Sequence, residues 1–337
     1  MTDNVIETCR LTKYYGAKAA VDQLSLTVPR GSVFAFLGRN GSGKTTTIRL
    51  LLGLETATRG TARVLGCDSQ SLTPEMRNRI GYLTESHFAY GWMTIDECER
   101  FQSGGFRQWN RELFDAVIRH FGLARSSRVR HLSRGERAGV CLAMTLAPEP
   151  ELLVLDDPAL GLDPVARRAL LEAILFVTRD ERRTVFFSSH LLDDVERVAD
   201  HIAILDGGVL RVLCPAEEFR RRVGAWIVRF EGPVPQLPPL AGLLGVTCLG
   251  NEMRVTVANE LEAAEVALRS LSGVEIKSVP VGLDDAVVSY MDDRGRRRSL
   301  LQTIAGKTTS EPAGISPPDV GNLTPVRGLT PPGSPNE

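Results

Sequence analysis

Gly38-Arg39-Asn40-Gly41-Ser42-Gly43-Lys44-Thr45 has the spacing G-x-x-x-x-G-K-[ST], and its residue types suit one task, the holding of phosphate. The glycines let the backbone turn so that successive N–H groups point inward at phosphate oxygens. The helix that must follow adds the positive end of its dipole. Lys44 is a point charge for β- and γ-phosphates, and the Thr45 hydroxyl can ligate Mg²⁺. A glycine loop can carry Lys-Thr by chance, so context decides. Here the apolar run Val33–Leu37 precedes the loop and the helical run Thr45–Leu52 follows it, which is the strand–loop–helix order that phosphate binding requires.

Three further constellations bear on the same chemistry. Leu152–Leu155 is an apolar strand that ends in Asp156 and Asp157, about 110 residues after the loop. In a parallel sheet this puts a carboxylate beside the phosphate loop, where Mg²⁺ would sit. Leu132-Ser133-Arg134-Gly135-Glu136 opens a helix. Ser133-x-x-Glu136 is in the first place a capping box, but the same helix end could present Ser133 and backbone N–H groups to a γ-phosphate held by another subunit. His190 follows the run Thr184–Ser189. A lone histidine there is commonly structural, yet one strand beyond Asp156 it is placed to hydrogen-bond γ-phosphate and an attacking water.

These residues must be positioned by alternating strands and helices. Strands are predicted at Val5–Arg10, Leu24–Val28, Val33–Leu37, Thr61–Leu65, Ile80–Leu83, Leu152–Leu155, Thr184–Ser188, His201–Leu205 and Val209–Leu213. Helices are predicted at Lys44–Leu52, Ser133–Leu146, Val165–Val177 and Leu191–Val198. Such alternation implies a mainly parallel sheet covered on both faces. Between Glu85 and Leu132 the strand signal fades, and Leu113, Phe114, Val117, Ile118 and Phe121 fall at helical spacing, so residues about 86–147 read as a helical insertion. The Pro-rich stretch 232–239 marks a boundary. Beyond it Val246–Leu249, Met253–Val257, a helix over Leu261–Leu271 and Val274–Val279, with Trp226–Phe230 before it, make a small α+β unit over residues 223–293. Residues 294–337 hold a basic run, Arg294–Arg298, and a Pro-, Gly-, Ser- and Thr-rich tail expected to be disordered.

Composition narrows the class. The 337 residues carry 40 Lys and Arg against 41 Asp and Glu, so net charge gives no pull toward nucleic acid or anionic lipid. The six cysteines show no metal-ligand spacing and read as buried small apolar residues of a reducing compartment. Met1–Arg10 does not read as a signal peptide, and no apolar run approaches a membrane span. A cytoplasmic protein is expected, peripheral on a membrane only through partners.

In order and spacing, these motifs resemble the nucleotide-binding domain of ABC transporters, over roughly residues 5–219. The resemblance implies an α/β P-loop NTPase fold, with an antiparallel N-terminal β part and the helical insertion, across residues 1–222. It makes Tyr15 an adenine-stacking residue and Gly38–Thr46 the nucleotide-binding loop. It makes Ile80–Glu85 the loop that brings a side chain to Mg²⁺ or water, Thr45 and Asp156 Mg²⁺ ligands, and Ser133 and Gly135 the signature. Gly161-Leu162-Asp163 becomes the D-loop, and Asp157 and His190 the catalytic pair. Gly282–Met291 is similar to a closing helix of exporter-branch ATPases. The implied machine is an ATP- and Mg-dependent ATPase that closes as a homo- or heterodimer and drives separate integral membrane permease subunits, with no nucleic acid. The helical insertion and the Glu85 loop would touch those permeases.

The departures are Glu85 where the family has Gln, LSRGE as the signature, and Asp157 where the family has Glu. Arg134 is left with two courses, solvent or a phosphate or ribose. Glu136 is assigned to its own helix, since a carboxylate would repel phosphate. Asp157 keeps the carboxylate but withdraws it by roughly 1.5 Å, one methylene, which predicts slower hydrolysis. Together the three departures also motivate a catalytically weak, ATP-gated regulatory module. DNA-acting relatives insert a long coiled coil, which this chain lacks, and ribosome-acting relatives usually carry two nucleotide domains. A P-loop kinase leaves the signature and His190 unexplained.

Overall fold

The computed structural model describes residues 3–178, 183–189, 195, 198–231, 237–271, 274–281 and 286–287. The expected helix Leu191–Val198, the segment Gly282–Met291, the basic run and the tail lie wholly or largely outside these residues. The chain divides into two compact units, residues 1–213 and a second beginning at Cys214.

The first unit opens with β1 (Asn4–Tyr15), β2 (Lys18–Leu24) and β3 (Thr27–Pro29). It continues with β4 (Val33–Leu37), α1 (Lys44–Leu51), β5 (Arg59–Val64), β6 (Cys67–Asp68), α2 (Pro74–Arg77) and β7 (Ile80–Leu83). Then come α3 (Ile95–Ser103), α4 (Arg111–His120), α5 (Arg134–Leu146), β8 (Leu152–Leu155), α6 (Pro164–Thr178), β9 (Thr184–Ser189), β10 (His201–Asp206) and β11 (Val209–Pro215). β1 pairs antiparallel with β2, β3 and β5 in one sheet. A second sheet runs β11-β10-β4-β9-β8-β7, with β10, β4, β9, β8 and β7 parallel. Strands β4, β8 and β9 are buried at every residue, as the unbroken apolar sequences of β4 and β8 require; β9 also buries Thr184, Ser188 and Ser189.

Two readings of this region are corrected. The predicted strand Leu24–Val28 is the end of β2 and the start of β3, because the chain leaves β1 and returns to pair with it twice. The insertion contains a helix not foreseen, α3, which starts with a capping box between Thr94 and Glu97. The cysteines are also not uniformly buried. Cys98, Cys141 and Cys214 are, but Cys9 is exposed on the outward side of β1.

Arg125 ties the insertion together. Its guanidinium pairs with Asp96 on α3, with the nearly inaccessible Glu99 on α3 and with Asp115 on α4, and it lies over the Phe114 ring at 5.4 Å. A buried carboxylate needs such a cation.

The second unit holds α7 (Ala216–Arg222), β12 (Val223–Phe230), β13 (Leu243–Leu249), β14 (Glu252–Ala258), α8 (Leu261–Arg269) and β15 (Val274–Val279). Its antiparallel sheet has the order β13-β14-β12-β15. Trp226, Val228, Phe230, Met253, Val255, Val257 and Leu268 form its core. The division between units therefore precedes α7, and the proline-rich stretch falls within the second unit's span rather than at its edge.

Two outcomes follow for stability. Arg125→Met leaves the buried Glu99 with only Arg111 at 3.6 Å and Trp109 Nε1 at 3.3 Å, and is expected to cost about 3 kcal/mol, measured by urea unfolding, with Glu99→Gln on the same background recovering part of the loss. His201 stacks on Phe34 at 6.3 Å, its Nδ1 is buried without a partner among the described residues, and burial lowers its pKa against the pull of Asp200. The unfolded chain therefore takes up this proton at higher pH than the folded one. Stability is complete above the ordinary histidine value of about 6.5 and falls as the pH drops below it. His201→Phe keeps the stack, so its melting temperature should fall less between neutral pH and pH about 5.5; an equal fall would contradict this.

Candidate active site

Because β4, β8 and β9 run parallel, their carboxyl ends meet at one edge of the sheet, where open α/β sheets bind ligands. The loop after β4 turns into α1 through Gly43, whose φ of 108° opens the helix. A Cβ at Gly43 would lie 2.2 Å from the Ala20 carbonyl oxygen, so glycine is required both for conformation and for space. Gly38 is equally confined, since a Cβ there would lie 2.4 Å from Ser42 Oγ.

Lys44 is buried, and its Nζ donates to the Gly38 carbonyl at 2.9 Å and to that of Arg39 at 3.5 Å. Asp157 Oδ2 lies 3.5 Å from the same Nζ. The cation is thus held inside the loop and paired across the cleft floor. Thr45 Oγ1 donates to Asp156 Oδ1 at 3.2 Å, which joins the start of the helix to the end of β8. Ser188, on β9, donates its hydroxyl to the same Asp156 Oδ1 at 2.9 Å and accepts from the Asp157 N–H at 2.9 Å. Burial raises the Asp156 pKa and Asp157 adds to the rise, while the bonds from Ser188 and Thr45 and the charge of Lys44 oppose it.

The cleft above this floor has a volume of about 390 Å³ and is lined by Tyr15, Lys18, Asn40, Gly41, Lys44, Thr45, Thr46, Glu85 and Asp157, among others. Tyr15 is half exposed at its rim, with the Lys13 ammonium 5.1 Å from the ring centre. The structure thus brings Tyr15, the loop, Glu85 and Asp157 together at one opening, with Asp156 beneath. Gly38, Arg39 and Ser42 belong to the loop but do not line the opening. Lys18 was missed. It comes from β2, paired with Tyr15 across a two-residue turn, and the signal available was the Tyr-Tyr-Gly-Ala-Lys hairpin pattern. Ser188 was missed because nothing local distinguishes it.

Ser133, Gly135 and Asp163 form a separate group. The capping box is present: Ser133 N–H donates to Glu136 Oε2 at 2.7 Å, and Glu136 N–H to Ser133 Oγ at 3.2 Å. Glu136 therefore serves its own helix. Asp163 Oδ1 caps α6 by accepting from the N–H groups of Val165 and Ala166. Arg134 is exposed, and its guanidinium lies over Gly161, where a Cβ would come within 2.4 Å of Nη1. The left-handed φ of Gly161, 69°, and this close approach both demand glycine. Arg134 thus joins the start of α5 to the Gly161–Asp163 loop, a role the sequence did not suggest. None of this group lines the cleft. His190 lies outside the described residues.

The site fits a nucleotide triphosphate and a hard divalent cation. Ser42 Oγ is buried inside the loop without a hydrogen-bond partner among the described residues, a donor for an absent acceptor. Thr45 and Asp156 offer the hydroxyl and carboxylate oxygens that Mg²⁺ prefers.

The ABC transporter family model matches residues 21–160. Bacitracin transport ATP-binding protein BcrA of Bacillus licheniformis is 34% identical over 220 residues, 65% of this chain and 72% of that protein. Nod factor export ATP-binding protein I of Cupriavidus metallidurans is 29% identical over 293 residues, 83% of this chain and 95% of that protein. A solved ATP-binding subunit of an ABC transporter superposes with a TM-score of 0.59 at 28% identity, covering 64% of this chain and 92% of that one. Kinship over most of the length of such relatives, on a fold whose sheet edge carries this loop, makes the chain a member of the ABC transporter ATP-binding family and an ATP-binding ATPase.

Proposed function

We propose that this chain is the ATP-hydrolysing subunit of an exporter-type ABC transporter, that Asp157 is its catalytic carboxylate, and that it works as a dimer on separate membrane permeases. The observation that carries the site assignment is the buried floor, where Lys44 and Asp157 face each other beside the Thr45–Asp156 bond. The exporter reading is supported by similarity to the Nod factor export protein, which extends over 83% of this chain and so into the second unit.

The roles follow from placement. Tyr15 offers a ring at the rim for the adenine. The backbone N–H groups of Gly38–Thr46, with Ser42 Oγ, hold the phosphates, and Lys44 exchanges Asp157 for the γ-phosphate. Thr45 and Asp156 would hold Mg²⁺, with Glu85 on the cleft wall a further candidate ligand; when bound, that ion would neutralise charge on the β- and γ-phosphates. Asp157, released from Lys44, orients and polarises the attacking water, and His190 is its partner. Ser133 and Gly135 of a second copy close over the γ-phosphate, steadied by Arg134 against Gly161.

Permease docking is supported by a surface three residues beyond Glu85. Phe88 and Trp92 are 72% and 62% exposed, and their rings lie 5.5 and 6.1 Å from that of Tyr90, which also meets Phe101 at 5.8 Å. Exposed aromatics gathered in this way mark an interaction site. No helix among the described residues is long and apolar enough to cross a membrane; the aromatic patch is the surface assigned to permease contact.

Mg-ATP turnover by the chain co-expressed with its permeases should be abolished by Lys44→Ala and by Asp157→Asn, and Asp157→Glu should turn over about ten- to a hundredfold faster than wild type. Persistent turnover in Asp157→Asn would assign the chemistry elsewhere. A Phe88→Ser, Trp92→Ser double variant should keep the basal ATPase of the isolated chain but lose permease co-purification, a weakening of about thirtyfold or more. Undiminished co-purification would remove the patch from the interface.

A further inference from the structure

We infer that Ser188 is a positioning residue for hydrolysis, its single hydroxyl fixing both carboxylates of the site. This rests on the assignment of Asp157 above. Leu155 and Phe187 are the last registered pair between β8 and β9, so Asp156 and Ser188 stand level just beyond it. Ser188 is fully buried in a strand that is otherwise mostly apolar, Thr184-Val-Phe-Phe-Ser-Ser189, where an unused hydroxyl would be unfavourable. Both of its capacities are used. The proton goes to Asp156 Oδ1, and a lone pair receives the Asp157 N–H.

The second bond has a particular consequence. Asp157 has a φ of 45°, in the left-handed region that a residue with a Cβ disfavours. That turn lifts the chain out of β8 and places the carboxylate 3.5 Å from Lys44, on the phosphate side of the cleft. The Ser188 oxygen holds the amide side of this turn, while the Asp157 carbonyl accepts from Leu160 N–H at 3.0 Å on the other; loss of the first bond loosens the turn and shifts the carboxylate. Asp has a shorter reach than Glu, so it tolerates less misplacement, and an error of about 1 Å can lower a rate on the order of 10²-fold. Ser188 thus sets the aim of the catalytic carboxylate through the backbone and the orientation of the Asp156 carboxylate directly.

The test compares Ser188→Ala, Ser188→Thr and Asp157→Asn with Thr184→Ala. Thr184 is a buried hydroxyl at the other end of β9 that accepts from Gly31 N–H at 2.9 Å and lies outside the site. Ser188→Ala should lower kcat about ten- to a hundredfold, tighten Mg-free ATP binding by no more than the roughly tenfold expected of Asp157→Asn, because the displaced carboxylate competes less for Lys44, and speed hydrogen exchange of the Asp157 amide in the nucleotide-free protein. Ser188→Thr should restore kcat; if its extra methyl prevents folding, as a melting curve would show, Ser188→Cys should recover part of it. Thr184→Ala should lose stability without these changes. Wild-type kcat and unaltered Asp157 exchange in Ser188→Ala, with Asp157→Asn inactive, would overturn this inference alone. Wild-type turnover in Asp157→Asn would overturn the assignment of Asp157 and this inference with it.

Discussion

Lys44 and Asp157 bury opposite charges 3.5 Å apart at the floor of the cleft, and a buried pair of this kind persists only when the protein around it supplies the remaining hydrogen bonds. The Gly38 carbonyl accepts a hydrogen bond from Lys44 Nζ, which requires the loop to curl back on itself, which in turn requires Gly43 to adopt a conformation closed to other residues. On the acidic side, Asp157 is reached only because β8 ends in a left-handed turn beside β9. The parallel order β4-β9-β8 is therefore more than a scaffold. It is the arrangement that allows a lysine from one strand end, a carboxylate pair from the second and a hydroxyl from the third to share one small volume.

The same pair gives the nucleotide-free site its logic. A lysine held by a carboxylate and two carbonyls is preorganised, and the arriving γ-phosphate replaces one anion with another rather than ordering a free side chain. In the proposed mechanism the same exchange releases Asp157, so the group assigned to polarise water is freed when the phosphate is in place. Ser133 and Asp163 cap α5 and α6, and neither they nor Gly135 line the cleft. In the proposed function a second chain completes the site, and the aromatic surface beyond Glu85 carries that closure to the permeases.

Much of this was legible in the sequence because the informative residues are local. The loop, its strand and its helix are contiguous, Asp156 follows an unbroken apolar run, and Ser133-x-x-Glu136 is a capping box by spacing alone. The failures were of two physical kinds. Lys18–Leu24 mixes charged, small and polar residues, because β2 packs on one side only, so its strand and the contribution of Lys18 were hidden. Ile95–Ser103 is dominated by polar residues, and only Thr94-x-x-Glu97 announced it. Ser188 and the Arg134–Gly161 contact are of the second kind. They depend on partners 31 and 32 residues away in one case and on another loop in the other, and no local pattern encodes such a meeting.

The central claim is that Lys44 is shared between Asp157 and the γ-phosphate. It is tested most directly by the affinity of the Asp157→Asn chain for ATP in the absence of Mg²⁺. If the carboxylate competes for Lys44, its neutral replacement should bind ATP tighter by on the order of tenfold. Unchanged or weaker binding would show that the pair does not yield to the phosphate, and would contradict this account of the site.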